Sequence, residues 1–332
     1  MRAARHFEFG PPEQVLKVVD LPQEMPEDDE VVIRMEAAAL HIADLFTIRG
    51  APGFQPPLPR TPGFEGIGHV ARCGRGVREY TVGDRVFAAL GSGTFREEVR
   101  CKAAACLPAP PGDAIQLSLL VVNGATAEVL LSDYGNLGPG DWLIQNAANS
   151  SCGRYVIRLA RERGIRTVNV VRRAELVPEL TALGGDVVLL DGDDLPARVA
   201  SATGGVPPKV AFDAVAGAAT QRLARCLAPG STVASYGAMS REPCHLDFYL
   251  MFRNDIRLVG VSFGRQFQQH WTPAKVRAMY ARLAERMASG TLQARIAGVY
   301  GLDDIVAACQ RAALTGVERD GKVIIRLGGR NP

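Results

Sequence analysis

From Asp141 onward, short apolar runs alternate with stretches of helical periodicity. The runs are Trp142–Gln145, Thr167–Val171, Val187–Leu190, Val210–Asp213, Thr232–Tyr236 and Arg257–Val261. Short, continuously apolar segments of this kind read as strands covered on both faces. Between the first two lies "GRYVIRLARERG", where Val156, Ile157, Leu159 and Ala160 form one apolar stripe and Gly164 marks a stop. Six strands separated by helical segments predict an α/β fold with a doubly wound, six-stranded parallel sheet.

The first 115 or so residues follow another rule. They are rich in Gly and Pro and carry short alternating segments such as "EVVIRME", "GIGHVARCG" and "GDRVFAAL", which predict a mostly β domain. After about Gln266 comes one strong amphipathic helix, "PAKVRAMYARLAERMASG", and then an apolar strand, "GKVIIRL". A closing strand needs a partner, and the first domain offers one. The expected layout is 1–117 for the first part of the β-rich domain, 118–266 for the parallel sheet, and 267–332 for a return to the β-rich domain.

Composition narrows the function classes. The chain has 332 residues, 47% hydrophobic and 22% charged, with a net charge of +3 and seven cysteines. That length suits two domains. The basic residues are scattered, so no nucleic-acid footprint is visible, and no apolar run is long enough to span a bilayer. The basic start, "MRAARHFEFG", lacks the apolar stretch of a signal peptide. Seven cysteines at irregular spacing fit reduced thiols and a cytoplasmic location better than a disulfide frame.

The loop "ANSSCG" occupies the strand-to-helix turn where a dinucleotide fold carries G-x-G-x-x-G. Ala148 and Ser150 stand at the first two glycine positions, and Gly153 keeps the third. Small residues still permit close backbone approach to a pyrophosphate and close helix–strand packing. Ser150 and Ser151 add hydroxyls beside helix N-terminal amides, where an anion is favoured. Taken alone, the loop also fits, less well, a capped helix start with no ligand. The next strand ends "NVVRR". An acid there would hold the ribose hydroxyls of NAD, whereas Arg172 and Arg173 can grip a 2′-phosphate. The cofactor expected is NADPH.

Together "QNAANSSCGRYVIRLA…NVVRR", "NGATAEVLL", "SYGAMSREP" and "PPLPRTPGFEGIGHV" resemble the zinc-independent medium-chain dehydrogenase/reductase superfamily, above all its NADPH-dependent 2-enoyl thioester reductases and then its quinone reductases. The resemblance implies a GroES-like catalytic domain built from both ends of the chain, a Rossmann domain between them, and a homodimer joined near "RLVGVSF". It implies cofactor contacts from Asn123 and Thr126, from Asn149, Ser150, Ser151, Cys152 and Gly153, and from Arg172 and Arg173. Tyr236, Gly237, Ala238 and Met239, with Val261, Ser262, Phe263 and Gly264, would line the nicotinamide and ribose. Lys322 would reach the cofactor from the closing strand.

Zinc alcohol dehydrogenases share this fold, but their ligand pattern is missing. His41 stands at the first ligand Cys, Phe64 replaces the ligand His, and Cys101 with Cys106 do not make the four-Cys lobe, so no metal is expected. The enoyl reductases also carry a Tyr in "I-x-G-x-Y", near the substrate; the gapless match places Pro52 there. Proline supplies no proton. His41, with an ordinary pKa near 6.5, is the candidate donor, and Phe54 and Phe64 are candidates for an apolar pocket. The function expected is NADPH-dependent reduction of an activated C=C bond, with an acyl-CoA or acyl-carrier-protein thioester as the leading substrate class. A quinone or enone reductase and a non-catalytic NADPH-binding protein are the alternatives.

Overall fold

The structure, a computed structural model, describes residues 1–53, 55–314, 318 and 321–328. The chain divides into two compact units, Met1–Val122 with Arg277–Pro332, and Asn123–Val276.

The second unit holds a six-stranded sheet that is parallel throughout. Its order is Val187–Leu190, Arg166–Val171, Trp142–Gln145, Val210–Asp213, Thr232–Ser235 and Arg257–Gly260. The chain starts in the middle and winds outward both ways, as the doubly wound reading requires. The six expected strands are all present; two stop one residue earlier, leaving Tyr236 and Val261 just past the strand ends. Burial explains the continuous apolar runs: Ile144, Val168, Val170, Ala211 and Val233 share one core with Leu223 and Leu195 from covering helices. Each fully buried aliphatic side chain contributes about 1.5–3 kcal/mol. The helix Ser151–Glu162 matches the apolar stripe, and Gly164 follows it at φ +69°. Two helices, Phe248–Asn254 and Phe263–His270, lie where no helical stripe was read. Neither has a buried residue, so no apolar face marks them.

The first unit is built on a seven-stranded sheet around the long strand Glu30–Leu40. That strand pairs with Glu65–Cys73, Glu98–Lys102 and Lys322–Arg326. The closing strand therefore does return to the β-rich domain, antiparallel to Glu30–Leu40 and parallel to Ile296–Gly301. The segment "GDRVFAAL" yields only a short strand, Arg85–Phe87. The amphipathic helix of the tail is Pro273–Ala288, with Met279, Tyr280, Leu283 and Met287 buried. Among the described residues no helix is long and apolar enough to cross a membrane.

Candidate active site and nucleotide cradle

Strand Trp142–Gln145 leads into a turn in which Ala147 takes φ +46°, in place of a glycine. The helix beyond is capped by Ser150, whose hydroxyl accepts from the Gly153 N–H at 3.1 Å. Gly153 is irreplaceable on steric grounds: a Cβ there would meet the Ala148 carbonyl oxygen at 2.7 Å. The third-glycine reading thus has a direct physical cause, the close packing of the helix on the turn Ala147–Ala148 that leads into it.

Two devices hold this turn that single-position reasoning missed. Asn146 is buried and donates to Asp213 at 2.6 Å, while its carbonyl oxygen accepts from the Ala214 N–H at 2.8 Å. Asp213 also accepts from the N–H groups of Val215 and Ala216 and from the Thr220 hydroxyl. The ends of the two central strands are therefore locked together at the point where the sheet's order reverses. Arg154 donates to the Asn149 carbonyl at 3.1 Å and to Glu179 at 2.6 Å, bracing the loop from its helix. An amide directly after one strand and an acid ending another, "QNA" and "AFDA", were the available signals.

Asn149 to Gly153, Arg172 with Arg173, Tyr236 to Met239, and Val261 to Gly264 all follow the carboxyl ends of strands in this one sheet. Arg172 is exposed and makes no hydrogen bond or ion pair among the described residues. Arg173 is 3.5 Å from Glu175. The Tyr236 hydroxyl is buried without a hydrogen bond of ordinary geometry; Cys152 and Ser150 are close by, and burial holds its pKa well above the ordinary tyrosine value. Asn123 is buried and Thr126 half-buried at the start of the helix Ala125–Asp133.

The first unit carries a different cluster. His41 precedes the helix Ile42–Arg49 and forms a capping box with Asp44. Asp44 accepts from the His41 N–H at 2.8 Å and the Gly63 N–H at 3.0 Å. The imidazole is 6% exposed and bonded on both sides: Nε2 lies 2.6 Å from Glu65, and Nδ1 lies 3.1 Å from the Lys322 Nζ. An ammonium can only donate, which assigns Nδ1 as acceptor and Nε2–H as the donor to Glu65. The second Glu65 oxygen accepts from the Val122 N–H at 2.8 Å.

This geometry corrects the reading of His41 as an acid near pH 6.5. Burial first, and the Lys322 charge second, hold its pKa well below the ordinary value, so the ring is neutral at pH 7. Burial pushes Glu65 up to about 8, against the pull of the Val122 N–H and Lys322, and pushes Asp44 up to about 7. Pro52 is exposed in the turn after the helix, and Phe64 is half-buried. Phe54 lies outside the described residues.

Zinc does not suit this donor set. Among the described residues no group of three or more His, Cys, Asp or Glu is placed to hold a metal ion. Both His41 nitrogens are engaged, one by a cation, and Phe64 offers no ligand.

Residues 27–111 match the model of the alcohol dehydrogenase GroES-like domain, and residues 152–282 match that of the zinc-binding dehydrogenase. The chain is 32% identical to the mitochondrial enoyl-[acyl-carrier-protein] reductase of Rattus norvegicus over 301 residues, 89% of this chain and 80% of that protein. It superposes on a putative NADPH:quinone reductase from Bacillus thuringiensis with a TM-score of 0.90, at 26% identity, covering 98% of both chains. A mycobacterial protein solved with NADPH gives a TM-score of 0.85 at 26% identity, covering 98% of this chain and 100% of that one.

Proposed function

Because the chain belongs to the medium-chain dehydrogenase/reductase superfamily, we propose that it is an NADPH-dependent reductase of 2-enoyl thioesters. The carrying observation is the cradle itself. A capped helix start follows the central strand, and the neighbouring strand ends in an exposed, unpaired Arg172. The donor set fits the cofactor: N-terminal amides and the Ser150 hydroxyl for pyrophosphate, and two guanidiniums for a 2′-phosphate. The buried Tyr236 hydroxyl adds a donor with no settled partner.

When bound, NADPH would supply the hydride for the β-carbon of the unsaturated acyl group. The protein's share is orientation and charge. Arg154 and the Asn146–Asp213 lock keep the phosphate turn in place before any ligand arrives. Within its own unit, Lys322 bonds the His41 ring, which is bonded in turn to Glu65. With Pro52 unable to give a proton and the His41 ring bonded on both sides, the proton for the α-carbon would come from water.

Pro52 favours a second reading on the same scaffold, a quinone reductase. Reduced quinone oxygens are protonated by solvent and need no dedicated side-chain acid. Mixing the protein with NADPH and crotonyl-CoA, simple enones or quinones, and following nicotinamide absorbance, decides between them. Turnover of crotonyl-CoA supports the first reading; turnover of quinones alone supports the second. NADPH binding with no turnover of either class leaves a non-catalytic binder.

The assembly proposed is a homodimer. Strand Arg257–Gly260 is an edge of the parallel sheet with Leu258 exposed, and edges of this kind pair with further strands. Beside it in sequence, Phe248 and Phe252 stack at 5.4 Å while 62% and 73% exposed. A monomer at micromolar concentration in sedimentation would contradict this assembly.

A further inference from the structure

Seven cysteines are free, and most are ordinary core or half-buried thiols. Burial pushes Cys226 and Cys309 up to about 12, which makes them inert at neutral pH. One pair differs. Cys101 lies in the strand Glu98–Lys102, opposite Val31. A single tight turn, Ala103–Ala105, follows, and the Cys106 N–H closes it on the Ala103 carbonyl at 3.0 Å. That turn brings the two sulfurs to 3.4 Å.

The two thiols are also chemically unequal. Either thiol can donate across the contact, and Cys106 Sγ also donates to the Lys102 carbonyl at 3.6 Å; the contact with Cys106 is the largest cause holding Cys101 below its ordinary pKa. The Ala89 N–H and the charge of Arg96 act the same way, while burial opposes them. Cys106 is pushed up by the same contact and by burial. Arg96 is itself fixed, through Glu24 at 3.4 Å and the Ser92 carbonyl at 3.1 Å. The Tyr80 hydroxyl donates to the Cys106 carbonyl at 3.0 Å and anchors the turn. A stabilised thiolate beside a second thiol is the arrangement of an attacking and a resolving cysteine.

We propose that Cys101 and Cys106 are a peroxide-reactive dithiol that closes to an intrachain disulfide. The Cys101 thiolate attacks one peroxide oxygen and the O–O bond breaks. The departing oxygen leaves with the electron pair and takes a proton from water, and Cys101 becomes a sulfenic acid. Cys106 then attacks that sulfur. Its thiol proton goes to the departing hydroxide, the S–O bond breaks and the S–S bond forms. Two thiols are oxidised by two electrons, and one hydrogen peroxide is reduced to two waters. A disulfide is about 2.05 Å long, so closure asks for a shift of roughly 1.4 Å from the observed 3.4 Å. The pair stands at the Val31 end of the long strand, at the opposite end from His41. The bridge is therefore a modification of the scaffold, not a step of the reduction.

The native, reduced chain is treated with hydrogen peroxide, its remaining thiols are alkylated, and it is digested with trypsin. Cleavage after Lys102 separates the two cysteines, so a bridge appears as two joined peptides lighter by two hydrogens. It should form about tenfold faster than Cys226 or Cys309 is lost, and dithiothreitol should reverse it. In Cys106→Ser the reaction should stop at a sulfenic acid on Cys101 that dimedone captures. In Cys101→Ser, Cys106 should stay reduced over the same time. Phenylarsine oxide, which bridges close thiols, should bind the wild-type chain one to one and block both cysteines, a measurement that needs no variant. Joined peptides that form only in denaturant would overturn the proposal, as would oxidation of Cys73 or Cys244 while this pair stays reduced.

Discussion

The two units stabilise their functional ends by opposite means. In the parallel-sheet unit, Asp213 collects two backbone N–H groups, an amide and a hydroxyl, three of the four from within seven residues of itself. Its charge is met by dipoles that the turn itself supplies. In the β-rich unit, Glu65, His41 and Lys322 meet from three distant parts of the chain. There a buried carboxyl, pushed up to about 8, is held by a ring N–H and a backbone N–H brought from elsewhere in the chain. The difference teaches where each unit is fragile: the first fails locally and gently, the second fails when any one partner goes.

Glu65→Ala breaks the comparison hardest. It leaves the His41 Nε2–H and the Val122 N–H without their buried acceptor, and each donor so orphaned costs about 1–3 kcal/mol. Chemical denaturation should show that loss. A cost below about 1 kcal/mol would mean that the carboxyl does not hold the cluster together. Next comes the double change Arg172→Ala with Arg173→Ala. NADPH binding should weaken by about 1.5–3 kcal/mol per charged hydrogen bond lost, with NADH binding almost unchanged. Equal losses for both cofactors in a titration would remove the 2′-phosphate assignment.

Asn146→Ala sharpens the comparison from the other side. It removes one donor and one acceptor from the lock while Asp213 keeps its other three partners. The expected cost is about 1–3 kcal/mol, smaller than that of Glu65→Ala, and a larger one would make the lock the more fragile of the two. The last test is in pH. Asp44 is held at about 7 by burial, above its ordinary 3.8. The folded chain therefore binds a proton that the unfolded chain releases between these values. This contribution is full below pH 4 and falls away as pH rises through 7. Stability measured across that window should decline with pH, and Asp44→Asn should flatten the slope; an unchanged slope would assign the decline to other groups.

The fold was legible because its signals are local. Continuous apolar runs marked the parallel strands, since both faces of the sheet are covered: Val168 and Val170 pack in one core and Val171 in another, with Ile157 and Leu180. Gly153 was legible because one steric contact dictates it. The site was legible only in part. His41 and Lys322 could each be named, yet nothing in either neighbourhood announces the 3.1 Å contact between them. Nor could the sequence show that burial lowers His41, because the ordinary pKa of an imidazole carries no information about its surroundings. Cys101 and Cys106 were visible as a pair that fails to make a zinc lobe; their sulfur contact depends on the turn Ala103–Ala105.

The strand Lys322–Arg326 lies inside its sheet, with Leu40 opposite Val323 on one side and Ile296–Gly301 on the other. During synthesis, the parallel-sheet unit has all its strands once residue 260 has emerged, whereas the Ala37–Leu40 half of the long strand keeps one flank open until residues 322–326 have been made. The unit that is first in sequence is thus the last to close. A ribosome stalled anywhere between these points would hold a finished nucleotide cradle attached to an unfinished sheet with a waiting edge. Such an edge is the kind of surface that chaperones shield and that misassembly exploits.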